Sequence, residues 1–397
     1  MPGVLSPFVM LLLVAVTALG PVAMQIFLPA LPAIQEGLSV SFGTAQLTLS
    51  LSALSIALAT LAYGPLADRL GRRPVLLAGI VIYLGGSLMC TLAPEIWTLV
   101  IGRIIQAAGG AGGMVLARTM IRDLFEREQA AQAIAYLTMA MVAAPMMAPA
   151  LGGVLTDQLG WRAVFAASGV VGLLVLLGSV ARLPETRHAL DAALSIRAMF
   201  RGFTRLLRSA AFRAYAFQGA FSISLFFCFL AGAPYIMVRV LQRPATEYGL
   251  LFMLVSGGFM LGNLIAARLS ARVGIDRMIL LGTGLALTGT VLALALAVAL
   301  PWSALTLFLP VSLVAFAQGI SIPNSVAGAI SVDPQAAGSA SGLSGFLQMA
   351  MAALAAQIVG MIQNGTPYPT LIAMLLCATG ALLAILSPRL AAAASRG

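Results

Sequence analysis

About twelve times along its length, this chain runs for roughly twenty residues with almost no charge, which is what an α-helix needs to cross a hydrocarbon core. Thr44 to Tyr63 carries no charged side chain, and neither does Val75 to Leu92. With 397 residues there are about 33 per run and connector, so little is left for a domain outside the membrane. Composition agrees: 61% of residues are hydrophobic and 9% charged, and the mean hydropathy is +1.03. Soluble globules carry about a quarter of their residues as charges, so that class is excluded. The net charge of +10 does not point to a polynucleotide. All 22 basic residues are arginines, and eighteen fall in alternate connectors or at the C-terminus: 69, 72, 73, 118, 122, 127, seven from 182 to 213, 268, 272, 277, 389 and 396. This is the positive-inside bias, which places both termini in the cytoplasm and the basic turns against anionic lipid head groups.

The expected spans are 8–31, 44–65, 74–92, 96–118, 132–156, 163–182, 211–238, 247–267, 277–299, 302–324, 338–362 and 368–387. The first has no basic leader and is long enough to span, so it reads as a helix, not a cleaved signal. Residues 1–182 and 211–397 then form two six-helix bundles, joined by a cytoplasmic linker at 183–210. Arginines at 197, 201, 205 and 208 suit an amphipathic helix on the inner leaflet, with an ordinary solvated linker as the alternative. The halves repeat weakly. Phe27 to Ile34 matches Phe229 to Ile236 in Phe, Leu, Pro and Ile, and Gly262 to Arg272 echoes Gly64 to Arg73 without the acid. Cys90, Cys228 and Cys377 lie far apart in apolar runs, so no disulfide framework, metal site or cofactor is expected. His188, the lone histidine, reads as a linker residue, and no catalytic motif is present.

The stretch Gly64-Pro65-Leu66-Ala67-Asp68-Arg69-Leu70-Gly71-Arg72-Arg73-Pro74 resembles the signature loop between the second and third helices of major facilitator superfamily transporters. Further words resemble the Bcr/CflA-like branch of drug:proton antiporters: Phe27 to Ile34, Arg103 to Gly110 with the trailing Arg122-Asp123, Ala148-Pro149-Ala150-Leu151-Gly152-Gly153, Trp161-Arg162 to Phe165, and Gly338 to Gly342. The resemblance implies an all-α integral membrane fold of twelve helices in two pseudo-symmetric bundles, working by alternating access. It implies a monomeric inner-membrane exporter of small drug-like or amphipathic molecules. A metabolite or siderophore exporter, an uncoupled facilitator and a non-transporting sensor are the alternatives.

Arg103 is the one charge well inside a span, where it costs about 3 kcal/mol on insertion scales, so it should face the protein interior or a wet cavity. We expect it to serve the substrate; pinning carbonyls of its own half is the competing role. Gln106 lies one turn on along the same face. Phe27, Met114, Met146, Met147, Phe221, Phe226, Phe227 and Gln348 are candidate cavity walls, since Met and aromatic surfaces adapt to varied apolar ligands. By the resemblance, Asp68 with Arg69, Arg72 and Arg73 forms a latch that meets the helix opened by Gly338. Asp123, Glu126 and Glu128 supply countercharge, and Pro149, Gly152 and Gly153 form a hinge or packing seal. Gln25 stands where the branch usually has an acid. An amide does not titrate, so proton coupling is left open.

Overall fold

The computed structural model describes residues 7–124, 127–186, 196–333 and 336–394. Glu126 and His188 lie outside these, as does the side chain of Glu128. All regular structure among the described residues is helical: α1 Pro7–Ile26, α2 Leu31–Gly37, α3 Phe42–Leu70, α4 Arg72–Leu92, α5 Ile96–Leu124, α6 Arg127–Leu159, α7 Trp161–Arg182, α8 Ile196–Arg208, α9 Ala210–Tyr235, α10 Ala245–Val273, α11 Ile275–Ala299, α12 Ala304–Ser331, α13 Ala337–Ile362 and α14 Tyr368–Ala394. Eleven helical segments among the described residues are long and apolar enough to cross a membrane. The remaining expected span, 132–156, lies inside α6, a helix of 33 residues. Leucines and valines such as Leu88, Val170, Leu174 and Leu376 stand exposed along these helices, as a lipid-facing surface requires.

The chain divides into two compact units, Met1–Leu194 and Ser195–Gly397. In the first, α5 packs against α1, α3 and α4, while α6 lies on α1 and α7 on α4. In the second, α12 plays the part of α5, packing against α9, α10 and α11, while α13 lies on α9 and α14 on α11. Glycines carry the same contacts in both copies. A Cβ on Gly79 would stand 3.2 Å from the Gly109 carbonyl oxygen, and one on Gly282 2.7 Å from that of Ala317. Both α3 and α10 end at a glycine with positive φ, Gly71 at 97° and Gly274 at 92°, which stops each helix without Cβ strain.

The ends of α3 and α10 and the starts of α4 and α11 place this part of the two copies 203 residues apart, so Arg272 stands for Arg69 and Ala271 for Asp68. The echo of Gly64–Arg73 in Gly262–Arg272 was therefore about one turn out of register. A shift of one turn leaves the same helix face aligned, which is why the words still matched. The basic turn is also shorter than its sequence suggests, because α3 stays helical through Pro65 and Asp68 to Leu70, and Gly71 alone separates it from α4. The expected span 8–31 is likewise not one helix. Its α-helix stops at Ile26, a 3₁₀ turn covers Leu28–Ala30, and α2 follows from Leu31. Pro29 and Pro32, which lack backbone donors, account for the break. Its counterpart in the second unit loosens into a π-helical turn at Ile236–Val240, just after Pro234.

The linker helix α8 lies against the second unit. Leu206 is buried with Phe212, Ala216, Ala329, Ala340 and Leu343, and Phe203 packs beside it. Arg205 pairs with Asp333, and Arg213 donates to the Leu207 and Arg208 carbonyls at 2.8 and 2.9 Å, capping the end of α8. The inner-leaflet helix expected here thus has part of its apolar face on protein.

Candidate functional site

Arg103 sits on α5 with 1% of its surface exposed. A guanidinium presents five N–H donors and must find acceptors when it leaves water. One terminal nitrogen donates to the Ala23 carbonyl on α1 at 3.1 Å and to Gln106 Oε1 at 2.6 Å, and Nε reaches the Thr48 carbonyl on α3 at 3.5 Å. Its Cζ stands 3.9 Å over the Phe27 ring and 5.9 Å from that of Phe165. Gln106 passes the chain on, donating to Ser87 Oγ on α4 at 2.8 Å, and Ser87 donates to the Tyr83 carbonyl at 2.8 Å. Two side chains, Arg103 and Gln106, therefore tie α1, α3, α4 and α5 together. Among the described residues no carboxylate is buried, and Arg103 is the one fully buried charge.

The run of small residues after it lets these helices touch. A Cβ on Gly110 would meet the Gly20 backbone at 2.9 Å, and Gly112 lies under the Tyr63 ring. Tyr63 in turn donates to the Ala108 carbonyl at 3.0 Å. Met114 packs by Gly20, with its sulfur 3.6 Å from where a Cβ would stand. Gly152 of α6 abuts the Ile26 carbonyl and Pro29, so α6 lies on the break in α1; Pro149 and Gly153 are buried beside it. Gln25 is partly buried, and among the described residues its Oε1 has no hydrogen-bond partner. Met146 is half-buried and Met147 is 54% exposed.

The second unit carries a neutral counterpart. Gln218 on α9 donates to Ser222 Oγ at 3.0 Å and to Thr283 Oγ1 on α11 at 2.8 Å, and accepts from Ser325 Oγ on α12. Gln318 donates to the Ser222 carbonyl at 2.6 Å. Gln348 is nearly buried, donates to Ser344 Oγ at 3.4 Å and stands over Gly219. Phe221 lies over Gly380 of α14; Phe226 leans on Phe252, and Phe227 is buried.

At the basic end of the first unit, Arg72 Nε lies 2.8 Å from Asp123 Oδ2 without the alignment of a hydrogen bond. Arg73 donates to the Val180 carbonyl at 2.8 Å, and Thr186 Oγ1 donates to Asp123 Oδ2 at 3.1 Å. Glu185 accepts from the backbone N–H groups of Arg72 and Arg73 at 3.0 and 3.2 Å. Asp68 is half-buried on the last turn of α3, beside exposed Arg69; Gly338 is exposed at the start of α13. The sequence reading put Arg103 and Gln106 on one face and offered Asp123, Glu126 or Glu128 as countercharge to Arg72, Arg73 or Arg127; the structure adds Phe27 to the first group and sets Asp123 beside Arg72. The sequence reading missed Glu185, whose one signal is an acid at the end of a span among arginines, and it missed Gln218, since a neutral amide in an apolar run carries no signal of its own.

The Major Facilitator Superfamily family model matches residues 13–356. The bicyclomycin resistance protein homolog of Haemophilus influenzae is 27% identical over 391 residues, covering 96% of each chain. Multidrug resistance protein D of Escherichia coli K12 is 28% identical over 361 residues, 89% of this chain and 88% of that one. Among solved structures, a bacterial homolog of the human lysosomal transporter Spinster, in an inward-facing, occupied conformation, superposes with a TM-score of 0.77 at 18% identity over 97% of this chain and 96% of that one. A peptide transporter bound to sulfate gives 0.77 at 12% identity over 96% and 95%. Likeness at such identities shows the fold.

Proposed function

This chain belongs to the major facilitator superfamily, and on that premise we propose that it exports small drug-like or amphipathic molecules from a bacterial cell by alternating access. It is a multi-pass membrane transporter and not an enzyme. The observation that carries the substrate class is the end-to-end match to the bicyclomycin resistance homolog, supported by the multidrug resistance relative. We place it as a monomer in the cytoplasmic membrane, with lipid around its exposed leucines and with the arginine-rich turns and both termini inside, following the distribution of its arginines.

In this reading Arg103 is a positioning residue as much as a contact for substrate. It holds α1 at Ala23, two residues before Gln25 and four before the break at Phe27. The segment around Gln25 and Phe27 is where α1 departs from α-helix, so it can re-form around different occupants while Arg103 keeps its base fixed. Asp68 with Arg69, Arg72 and Arg73, backed by Asp123, acts as the gate of the first unit. Since Gln25 does not titrate, either a peripheral carboxylate such as Asp68 or Asp123 couples to protons, or the substrate carries the proton, or the chain is an uncoupled facilitator. The test is growth of cells expressing the chain against bicyclomycin and a panel of amphipathic drugs, followed by flux of the active compounds in proteoliposomes with and without an imposed pH gradient. Protection with gradient-driven flux supports a proton-coupled exporter, and protection with gradient-independent flux makes it a facilitator. Failure to protect against any compound refutes the substrate class.

A further inference from the structure

The α4 helix begins with two arginines, an unfavourable start. A helix N-terminus carries a partial positive charge and leaves its first N–H groups without intrahelical partners, so cations in the first turn add repulsion to an unsatisfied end. No side chain of the preceding residue caps it, because that residue is Gly71. The cap comes instead from 112 and 113 residues downstream, where Glu185 accepts from both Arg72 N–H and Arg73 N–H, one bond to each carboxylate oxygen. The surroundings are built for this. Glu185 Oε2 lies 2.8 Å from where a Cβ on Gly71 would stand, so a side chain there would displace the carboxylate. Leu183 and Thr186 are buried on either side of it, fixing the strand of chain that leaves α7. The arginine side chains point outward into the same assembly, Arg72 to Asp123 and Arg73 to the Val180 carbonyl, and Asp123 accepts from Thr186.

We infer that Glu185 is the positioning residue of the α3–α4 turn, a remote N-cap that ties the end of α7 to the start of α4 and so fixes the turn on which Asp68 and Arg69 are carried. The inference rests on the reading of that turn as a gate for its consequence in transport, but not for its geometry. With the carboxylate in place, α4 cannot fray from its first turn, and movement of the turn requires α7 to move with it. Without it, two cations face an uncapped helix end and the first turn of α4 opens.

The test uses the full-length chain purified in detergent and compares wild type with Glu185→Ala and the near-isosteric Glu185→Gln. Hydrogen exchange is read on a peptide covering Arg72 and Arg73. Maleimide labelling is read at Val75→Cys, a buried position one turn into α4 that becomes accessible only when this turn opens, introduced in each background. Loss of a helix N-cap corresponds to about a fivefold rise in opening, so both rates should rise by about that factor in Glu185→Ala and by less in Glu185→Gln, whose amide oxygen still accepts from one N–H. Exchange and labelling at wild-type rates in both Glu185 variants would overturn the inference. Efflux of bicyclomycin then separates it from the gate reading. A fall in kcat with KM unchanged supports both, whereas faster exchange and labelling with unchanged efflux keeps Glu185 as the positioning residue and removes the gate.

Discussion

Replacing Arg103 by methionine should harm the fold less than replacing it by lysine, against the usual order of conservative substitution. Two well-formed charge-assisted bonds, to Ala23 and Gln106, are worth about 2 kcal/mol each. The stack on Phe27 adds about 1 kcal/mol. Against this total stands the cost of holding a cation in the membrane interior, about 3 kcal/mol. Arg103→Met removes both sides of the balance and keeps a long apolar stem against Phe27, so it should cost about 2 kcal/mol. Arg103→Lys keeps the cost of burial but loses the planar fork, forfeiting one bond and the stack, about 3 kcal/mol. For a cooperative unit of this size, 1 kcal/mol moves Tm by about 3 °C, so melting of the purified protein should fall by about 6 °C in the methionine variant and about 9 °C in the lysine variant. Drug efflux should fall at least about tenfold in both, since a displaced α1 misplaces the segment from Gln25 to Phe27. A lysine variant as stable as wild type, with the methionine variant below it, would refute the carbonyl-pinning argument. Full efflux in the methionine variant would make Arg103 a purely structural residue.

Three further outcomes are expected. Asp68→Asn should slow turnover more than it weakens substrate binding, because Asp68 lies at the end of α3 away from the Arg103 network; equal effects on kcat and KM would remove it from the gate. Gln218→Leu should lower Tm by several degrees, since it leaves Thr283, Ser222 and Ser325 without the amide that joins α9 to α11 and α12, at about 1 kcal/mol for each stranded group; an unchanged melting curve would count against the network. Gly152→Ala should abolish efflux and reduce the folded yield, because the new Cβ would overlap the Ile26 carbonyl oxygen. Normal yield and flux would mean that α6 can move away from the break in α1 without consequence.

Much of the architecture was legible because lipid imposes a simple rule: a span must hide its backbone groups inside a helix and show apolar side chains outside. Runs such as Thr44–Tyr63 and Val75–Leu92 announce this directly. Helix ends were less legible at the basic turn, where Asp68, Arg69 and Leu70 look like loop residues yet continue α3, since a helix extending past the hydrocarbon can carry charge freely. Register within the repeat was misread for a related reason, as a helical word shifted by one turn still presents the same face.

By itself, then, the sequence determined that the chain is a many-spanning helical transporter and that one arginine must be sheltered inside the first half. Tertiary structure alone decided what shelters it. Arg103 is held by the Ala23 and Thr48 carbonyls and the Phe27 ring, and α4 is capped by Glu185 from more than a hundred residues away. Backbone carbonyls and N–H groups occur at nearly every position, so no residue pattern marks which of them will be left open, and only the crossing of helices brings the one that is needed within hydrogen-bonding distance.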